Sequence, residues 1–198
     1  MSLSLFILLV AFRNFMQVCL TMGKIRGKVI AASGTVSLYL SYIAALLLAL
    51  WHLMPGRSFE LSFLFGSIIQ LSGVLLRLAG LKRLGRYYSS FVEIRESQRI
   101  VTDGIYSIIR HPLHCAFLLE IAGMGIISEN LFSILPFLIS WITIILRNRK
   151  EEKTMLDHFG KEYERYIEAV PSMNIALGII KRLERKNRRS KNDLTARK

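Results

Sequence analysis

Acidic residues are scarce in this chain: 14 Asp and Glu stand against 27 Lys and Arg, a formal net charge of +13. Cysteine is scarcer, with only Cys19 and Cys115, each inside an apolar segment. That excludes a disulfide framework and a zinc ribbon. Histidine is limited to His52, His111, His114 and His158. Only His111 and His114 stand close together in sequence, and a useful metal site needs a third and often a fourth donor. No metal is therefore expected. The first apolar segment lacks a basic n-region and a small-residue cleavage site, and more apolar segments follow it, so it does not read as a cleavable signal peptide.

Apolar residues are abundant. They make up 52% of the chain, and the mean hydropathy is +0.38. A small, basic, apolar chain reads first as an integral membrane protein. Nucleic-acid binding is the usual rival for such a charge, but here the basic residues flank apolar runs instead of forming a soluble basic domain.

A helix needs about 20 apolar residues to cross a bilayer. Five segments qualify as candidates: about Leu3–Leu20, Val29–Met54, Leu61–Leu81, Pro112–Ile127 and Leu131–Leu146. The fold class expected is an all-α integral membrane protein with about five transmembrane helices. The last two segments are separated only by Ser128-Glu129-Asn130 and read as a tight C-terminal helical hairpin. The first loop carries Lys24, Arg26 and Lys28, and the third carries Lys82, Arg83, Arg86, Arg95, Arg99 and Arg110. The second has Arg57 and Glu60, the fourth has no basic residue, and the chain after Arg147 is strongly basic. The positive-inside rule then puts loops one and three and the C-terminus in the cytoplasm and the N-terminus outside.

Three parts follow: three N-terminal helices over 1–81, a core over 82–170 and a basic tail over 171–198. Within the core, 147–170 reads as a helix continuing from the fifth span, a break at Phe159-Gly160 and a shorter helix ended before Pro171. Residues 181–198 hold nine basic and two acidic residues. They read as a solvated, mobile end that contacts anionic lipid.

Several polar groups call for an explanation. Arg147 and Glu151 are four apart, so on a helix they share a face where the fifth span ends. They form either a charged site at the membrane surface or a solvated ion pair, and spacing alone favours the ion pair. In Arg110-His111-Pro112 the proline suits a helix start, which leaves Arg110 and His111 unexplained. Arg13, Asn14, Gln17, Gln70, Arg77 and Glu120 fall inside apolar segments, where each charge costs about 2.5–3.5 kcal/mol. They are expected to face the bundle interior, with Arg13 and Glu120 a conceivable pair. Gly123-Met124-Gly125 lacks the strand–turn–helix setting of a dinucleotide fold and reads as close helix packing.

Three motifs occur in order: Gly104-x-Tyr106-x-x-x-Arg110-His111-Pro112, then Arg147-x-x-x-Glu151-Glu152, then Phe159-Gly160-x-Glu162-Tyr163-x-x-Tyr166. Together, over about 82–170, they resemble the isoprenylcysteine carboxyl methyltransferase family of integral-membrane enzymes. Phospholipid N-methyltransferases share the first two; the third leans toward the isoprenylcysteine branch. The resemblance implies S-adenosylmethionine held in a cytoplasmic pocket. Gln98, Arg99, Ile100 and Val101 would contact it largely through backbone, and Tyr106 would line the pocket. His111, Pro112, Leu113 and His114 would wrap its amino-acid part. Glu151 would bind cofactor, and Arg147 would orient the acceptor as the catalytic residue. The acceptor implied is a hydrophobic, membrane-resident molecule, prenylcysteine-like or lipid. The family usually has Tyr where this chain has His114. Alternatives are a phospholipid or other lipid or small-molecule N-, O- or S-methyltransferase and, from another class, a non-catalytic membrane scaffold or transporter subunit.

Overall fold

A computed structural model describes residues 2–21, 28–31, 34–54, 61–85, 88, 92–94 and 99–195. Seven helices are described: α1 (Ser2–Thr21), α2 (Thr35–Leu53), α3 (Leu61–Leu84), α4 (Pro112–Ser128), α5 (Ile134–Phe159), α6 (Lys161–Ala169) and α7 (Ile175–Thr195). The protein is an all-α integral membrane protein. Helices α2 and α3 and the run Leu131–Phe159 are long and apolar enough to cross a membrane, while Leu3–Met16 and α4 are shorter apolar helices. Hydrocarbon cannot satisfy backbone polar groups, so a spanning segment satisfies its own as a helix.

The burial pattern is inverted relative to a water-soluble bundle. Trp51, Leu40, Leu8 and Ile142 are exposed, whereas Gln70, Arg77, Glu120 and Ser140 are buried. The outward apolar faces suit lipid. Inside the bundle Arg77 and Glu120 pair with each other, while Gln70 Oε1 and Ser140 Oγ are buried without a hydrogen-bond partner among the described residues.

Two expectations need correction. The second span begins at Thr35 and not at Val29. Gly34 precedes it with φ 85, a left-handed conformation that breaks helical continuity. Lys28–Ala31 forms a short strand, β1, paired antiparallel with β2 (Val92–Ile94), with Val29 opposite Glu93. This pairing joins the first and third loops on one side of the bundle. The second correction concerns the tail: residues 175–195 form the helix α7.

The hairpin and the break fall where the sequence places them. Glu129 turns the chain with φ 47, and the Asn130 side chain accepts from Phe132 N at 2.9 Å as a short turn opens α5. Helix α5 continues past Leu146 to Phe159. Gly160, φ 53, donates its N–H to Leu156 O at 2.8 Å and ends it.

Helices α3 and α4 approach closely through glycine. A Cβ on Gly66 would lie 2.7 Å from Gly123 O, and one on Gly73 would lie 2.8 Å from Ala116 O. Gly123 thus serves close helix packing, as its setting suggests. This approach seats Glu120 among arginines. Arg77 Nε donates to Glu120 Oε1 at 2.6 Å, and Arg13 Nε donates to Oε2 at 3.1 Å. Arg13 also lies over the Tyr42 ring, 4.8 Å from its centroid. The Arg13–Glu120 pair is present, with Arg77 as a third member. Asn14 is exposed and joins the cluster from its outer side: its Oδ1 accepts from Arg13 Nη1 at 2.7 Å, and its amide donates to Val10 O at 2.8 Å. The Gln17 side chain lies outside the described residues.

Removing the carboxylate would leave two buried guanidinium groups facing each other without their anion. Glu120→Gln is expected to cost about 3–5 kcal/mol. The loss should show as a lower unfolding midpoint in nanodiscs; an unchanged midpoint would mean that water already solvates the arginines.

Candidate functional site

The site forms where α4 enters the bundle and α5 leaves it. Pro112 starts α4, where its missing N–H is not needed. The two residues before it are held from outside the helix. Arg110 N–H donates to Pro171 O at 3.0 Å, and His111 N–H donates to Ser172 O at 3.0 Å. The segment after α6 thus straps the Arg-His-Pro corner in place.

Glu152 binds this corner from α5. Its Oε1 accepts from Arg110 Nε at 3.0 Å and Nη2 at 2.8 Å, and lies 2.9 Å from His111 Nε2. Arg110 Nη1 donates to Ile167 O at 2.9 Å and also to Val170 O, near the C-terminal end of α6, where a cation is favoured. The other nitrogen of His111, Nδ1, lies 3.6 Å from Glu151 Oε2. One buried imidazole therefore touches both carboxylates.

Arg147 Nε donates to Glu151 Oε1 at 2.8 Å, and Nη1 donates to Thr35 Oγ1 at 2.8 Å. The i,i+4 pair exists, but Arg147 is only 7% exposed. The solvated-pair reading that spacing favours is corrected: α2 covers the guanidinium through Thr35. On α4, His114 sits one turn beyond His111, and the rings stack with centroids 5.6 Å apart. His114 Nδ1 lies 2.6 Å from Asn148 Oδ1, and Asn148 Nδ2 donates to Met173 Sδ at 3.1 Å.

An aromatic cluster adjoins these charges. Tyr163, Tyr166 and Val170 are buried together, with Ile100 and Phe159 packed against them. Tyr166 OH donates to Tyr106 O at 2.7 Å. Burial pushes the phenols of Tyr106, Tyr163 and Tyr166 upward from their ordinary value, so they remain protonated. Gly104, φ 58, opens the turn that carries Tyr106, and a Cβ there would lie 2.6 Å from Arg83 Nε.

The structure brings His111, Pro112, His114, Glu151 and Arg147 to one point. Ile100 and Tyr106 lie on the adjoining aromatic cluster. Leu113 turns away: its side chain meets α3, 2.8 Å from where a Gly80 Cβ would stand. Arg99 is exposed and Val101 half-buried. Gln98 lies outside the described residues. The candidates chosen from sequence omit Arg110, Glu152, Asn148, Thr35 and Met173. Arg110 and Glu152 are chain neighbours of His111 and Glu151, so the motifs contain them. Thr35 and Met173 carry no local signal.

The ligand atoms of His111, His114 and Glu151 lie within 4.8 Å of one another. Glu151 is thus a third donor, which sequence spacing could not place beside the histidines. Each of the three also has a protein partner, in Glu152, Asn148 and Arg147 respectively. The arrangement is a hydrogen-bonded network with both signs of charge. Such a set can receive a zwitterion, with carboxylates meeting its cationic part and N–H donors its anionic part.

The comparisons with known proteins fall on this region. The isoprenylcysteine carboxyl methyltransferase family matches residues 66–157, from α3 through most of α5. The chain is 32% identical over 111 residues to protein-S-isoprenylcysteine O-methyltransferase B of Arabidopsis thaliana, covering 54% of this chain and 56% of that protein. It is 33% identical over 125 residues to protein-S-isoprenylcysteine O-methyltransferase of Schizosaccharomyces pombe, covering 58% and 52%. The protein of the same name in Dictyostelium discoideum is 29% identical over 124 residues, covering 61% and 52%. The chain spans about half the length of these curated relatives. The matched segment 66–157, which contains the glycine-packed α3–α4 pair, the Arg-His-Pro corner and the paired glutamates, is thus similar to the isoprenylcysteine carboxyl methyltransferase family.

Proposed function

We propose that this protein transfers a methyl group from S-adenosylmethionine to a hydrophobic acceptor resident in the membrane, and that the reaction is carboxyl O-methylation of an isoprenylcysteine-like molecule. The observation that carries the reading is the buried Arg147, paired with Glu151 where α5 leaves the apolar bundle and one carboxylate away from His111. The named relatives are protein-S-isoprenylcysteine O-methyltransferases, which supports the acceptor class.

The donor set suits the cofactor. S-adenosylmethionine carries a sulfonium, an ammonium, a carboxylate and an adenine ring. The side chains of Glu151 and Glu152 remain 23% and 22% exposed, so a cation can reach them from outside the bundle. Glu151 and the backbone around His111, Pro112, Leu113 and His114 would hold the amino-acid part. Tyr106 and Ile100, with the Arg99–Val101 backbone, would line the remainder, and Gln98 belongs to the same proposed stretch. When bound, the cofactor supplies an electrophilic methyl whose sulfur leaves as a neutral thioether.

The chain's own work is placement, and holding reactants in line lowers the barrier by limiting their motion. Arg147, fixed by Glu151 and Thr35, orients an acceptor carboxylate. Such an acceptor is already ionised at neutral pH and needs no base. The acceptor enters from the bilayer and the donor from the aqueous side, which we take to be the cytoplasm. The basic first and third loops, joined by the β1–β2 pair, support that orientation, with the N-terminus outside and the C-terminus inside.

A second reading is favoured by His114, which stands where the family usually has Tyr. A neutral imidazole beside His111 and Glu151 can take a proton from an amine, phenol or thiol acceptor. His114→Tyr separates the two readings. It should preserve turnover on a prenylcysteine analogue if the acceptor is a carboxylate, and abolish turnover on a protonated acceptor if His114 is the base.

Glu151→Gln removes the charge facing a bound cation and is expected to weaken binding of S-adenosylmethionine or its demethylated product about 10–100-fold. His111→Ala should do the same with the fold retained. Calorimetric titration in detergent checks both, and ordinary affinity in both would remove the site assignment. Arg147→Lys keeps the charge but loses the planar fork. It should lower turnover about tenfold or more with cofactor affinity nearly unchanged; equal turnover would end its acceptor role.

A further inference from the structure

Helix α7 is turned the opposite way from a surface helix of a water-soluble protein. Its protein-facing edge is made of Gly178, Lys181 and Arg185, at i, i+3 and i+7. A Cβ on Gly178 would run into Ile108 O, so the backbones touch there. Lys181 Nζ donates to Glu168 O at 3.1 Å. Arg185 donates to Ala169 O and, at 2.8 Å, to Ser107 O. The helix is therefore docked by glycine and cations onto backbone carbonyls.

Its apolar stripe points outward. Ile175, Ile179, Ile180 and Leu183 share one face by their spacing and are 37%, 45%, 54% and 55% exposed. Exposed Arg182 borders that stripe, and exposed Lys186 closes its C-terminal end one turn past Leu183. The position of the helix decides what covers it. Ile108, against which Gly178 packs, lies four residues before the start of α4, and Ser172 and Pro171 hold the Arg110-His111 corner. The start of α7 is thus level with the point where α4 enters the apolar bundle. An outward apolar stripe bordered by cations, at the edge of a membrane-spanning bundle, matches a helix lying in a headgroup layer.

We propose that α7 is an interfacial helix whose apolar stripe sinks into the anionic bilayer surface next to the bundle, with Arg182 and Lys186 over lipid phosphates. The basic end of this chain is then a fixed element and not a free tail. The Pro171–Met173 strap that closes the candidate site is anchored by it on one side. The proposal stands on packing and charge and does not rest on the reaction assigned above, since its test reads no activity.

The test is limited trypsin digestion of the full chain in nanodiscs of phosphatidylcholine alone and with phosphatidylserine. Basic residues near a charged surface gain about 1 kcal/mol each, so Arg182 and Lys186 together should slow cleavage within 181–191 about 30-fold in the anionic discs. Ile179→Glu with Leu183→Glu alters only exposed positions and should return cleavage to the phosphatidylcholine rate. Gly178→Val, which cannot dock on Ile108, should also abolish the protection. Equal cleavage in the two lipids would overturn the proposal. Protection that survives the double glutamate variant would overturn it as well.

Discussion

One carboxylate oxygen, Oε1 of Glu152, fixes the geometry of the site. It takes both Arg110 and His111, which belong to the corner where the chain enters α4. Glu152 itself belongs to the helix that leaves the bundle. The two halves of the hairpin are thus tied at their open end by charge-assisted bonds, which are the strong ones. Because His111 also faces Glu151, and Glu151 holds Arg147, the position of each later group follows from that first tie. The backbone N–H groups of Arg110 and His111 then go to Pro171 and Ser172, so the C-terminal segment is located by the same corner.

The interior makes this tie attainable. Arg110 and Glu152 are 42 positions apart in the chain. They can meet only if α4 and α5 stand side by side and α4 is held at the right depth against α3. The glycine contacts at Gly66, Gly73 and Gly123 let the α3 and α4 backbones approach, and Arg77 and Arg13 hold Glu120 at one height. In lipid the hydrophobic effect does not drive helices together, so packing at small residues and buried polar bonds have to set the register. The buried charges of this bundle work in that way: they specify which turn of α4 faces which turn of α3.

Periodicity and punctuation made much of this legible in the sequence. The hairpin at Ser128-Glu129-Asn130, the stop at Gly160 and the close packing of Gly123 each rest on a local rule, and each is found in the structure. Where the outcome depended on a distant partner, the sequence misled or stayed silent. Val29 and Ile30 extend an apolar run, and nothing nearby shows that Val92–Ile94 will pair with them as a strand. The Arg147–Glu151 spacing is equally good for a solvated pair and a buried one, and Thr35, 112 positions away, decides it. The tail, with nine basic and two acidic residues over 181–198, reads as a solvated, mobile end. Its helix is held by carbonyls at Ser107 and Ala169 that no pattern in the tail itself announces.

Under the proposed function, a site placed at this height would serve reactants that do not share a solvent. A charged, water-soluble donor cannot enter hydrocarbon, and a lipid-like acceptor gains nothing by leaving it. The network around Glu151 keeps its carboxylates partly open to the aqueous side, while Arg147 is covered by α2 and α5. That asymmetry divides the labour: the acidic, half-open side is suited to a cationic donor, and the buried guanidinium to an anion at the end of an apolar chain. Methyl transfer needs little more than this, because the leaving group comes with the donor and the remaining task is alignment. The substitution of interest is then His114, which lies between the two sides, against His111 and Asn148. A tyrosine there would offer area and a hydroxyl, whereas histidine offers a smaller ring whose two nitrogens between them donate and accept. Under the proposed function, the choice of side chain at this single position would bear on which acceptors the scaffold could methylate.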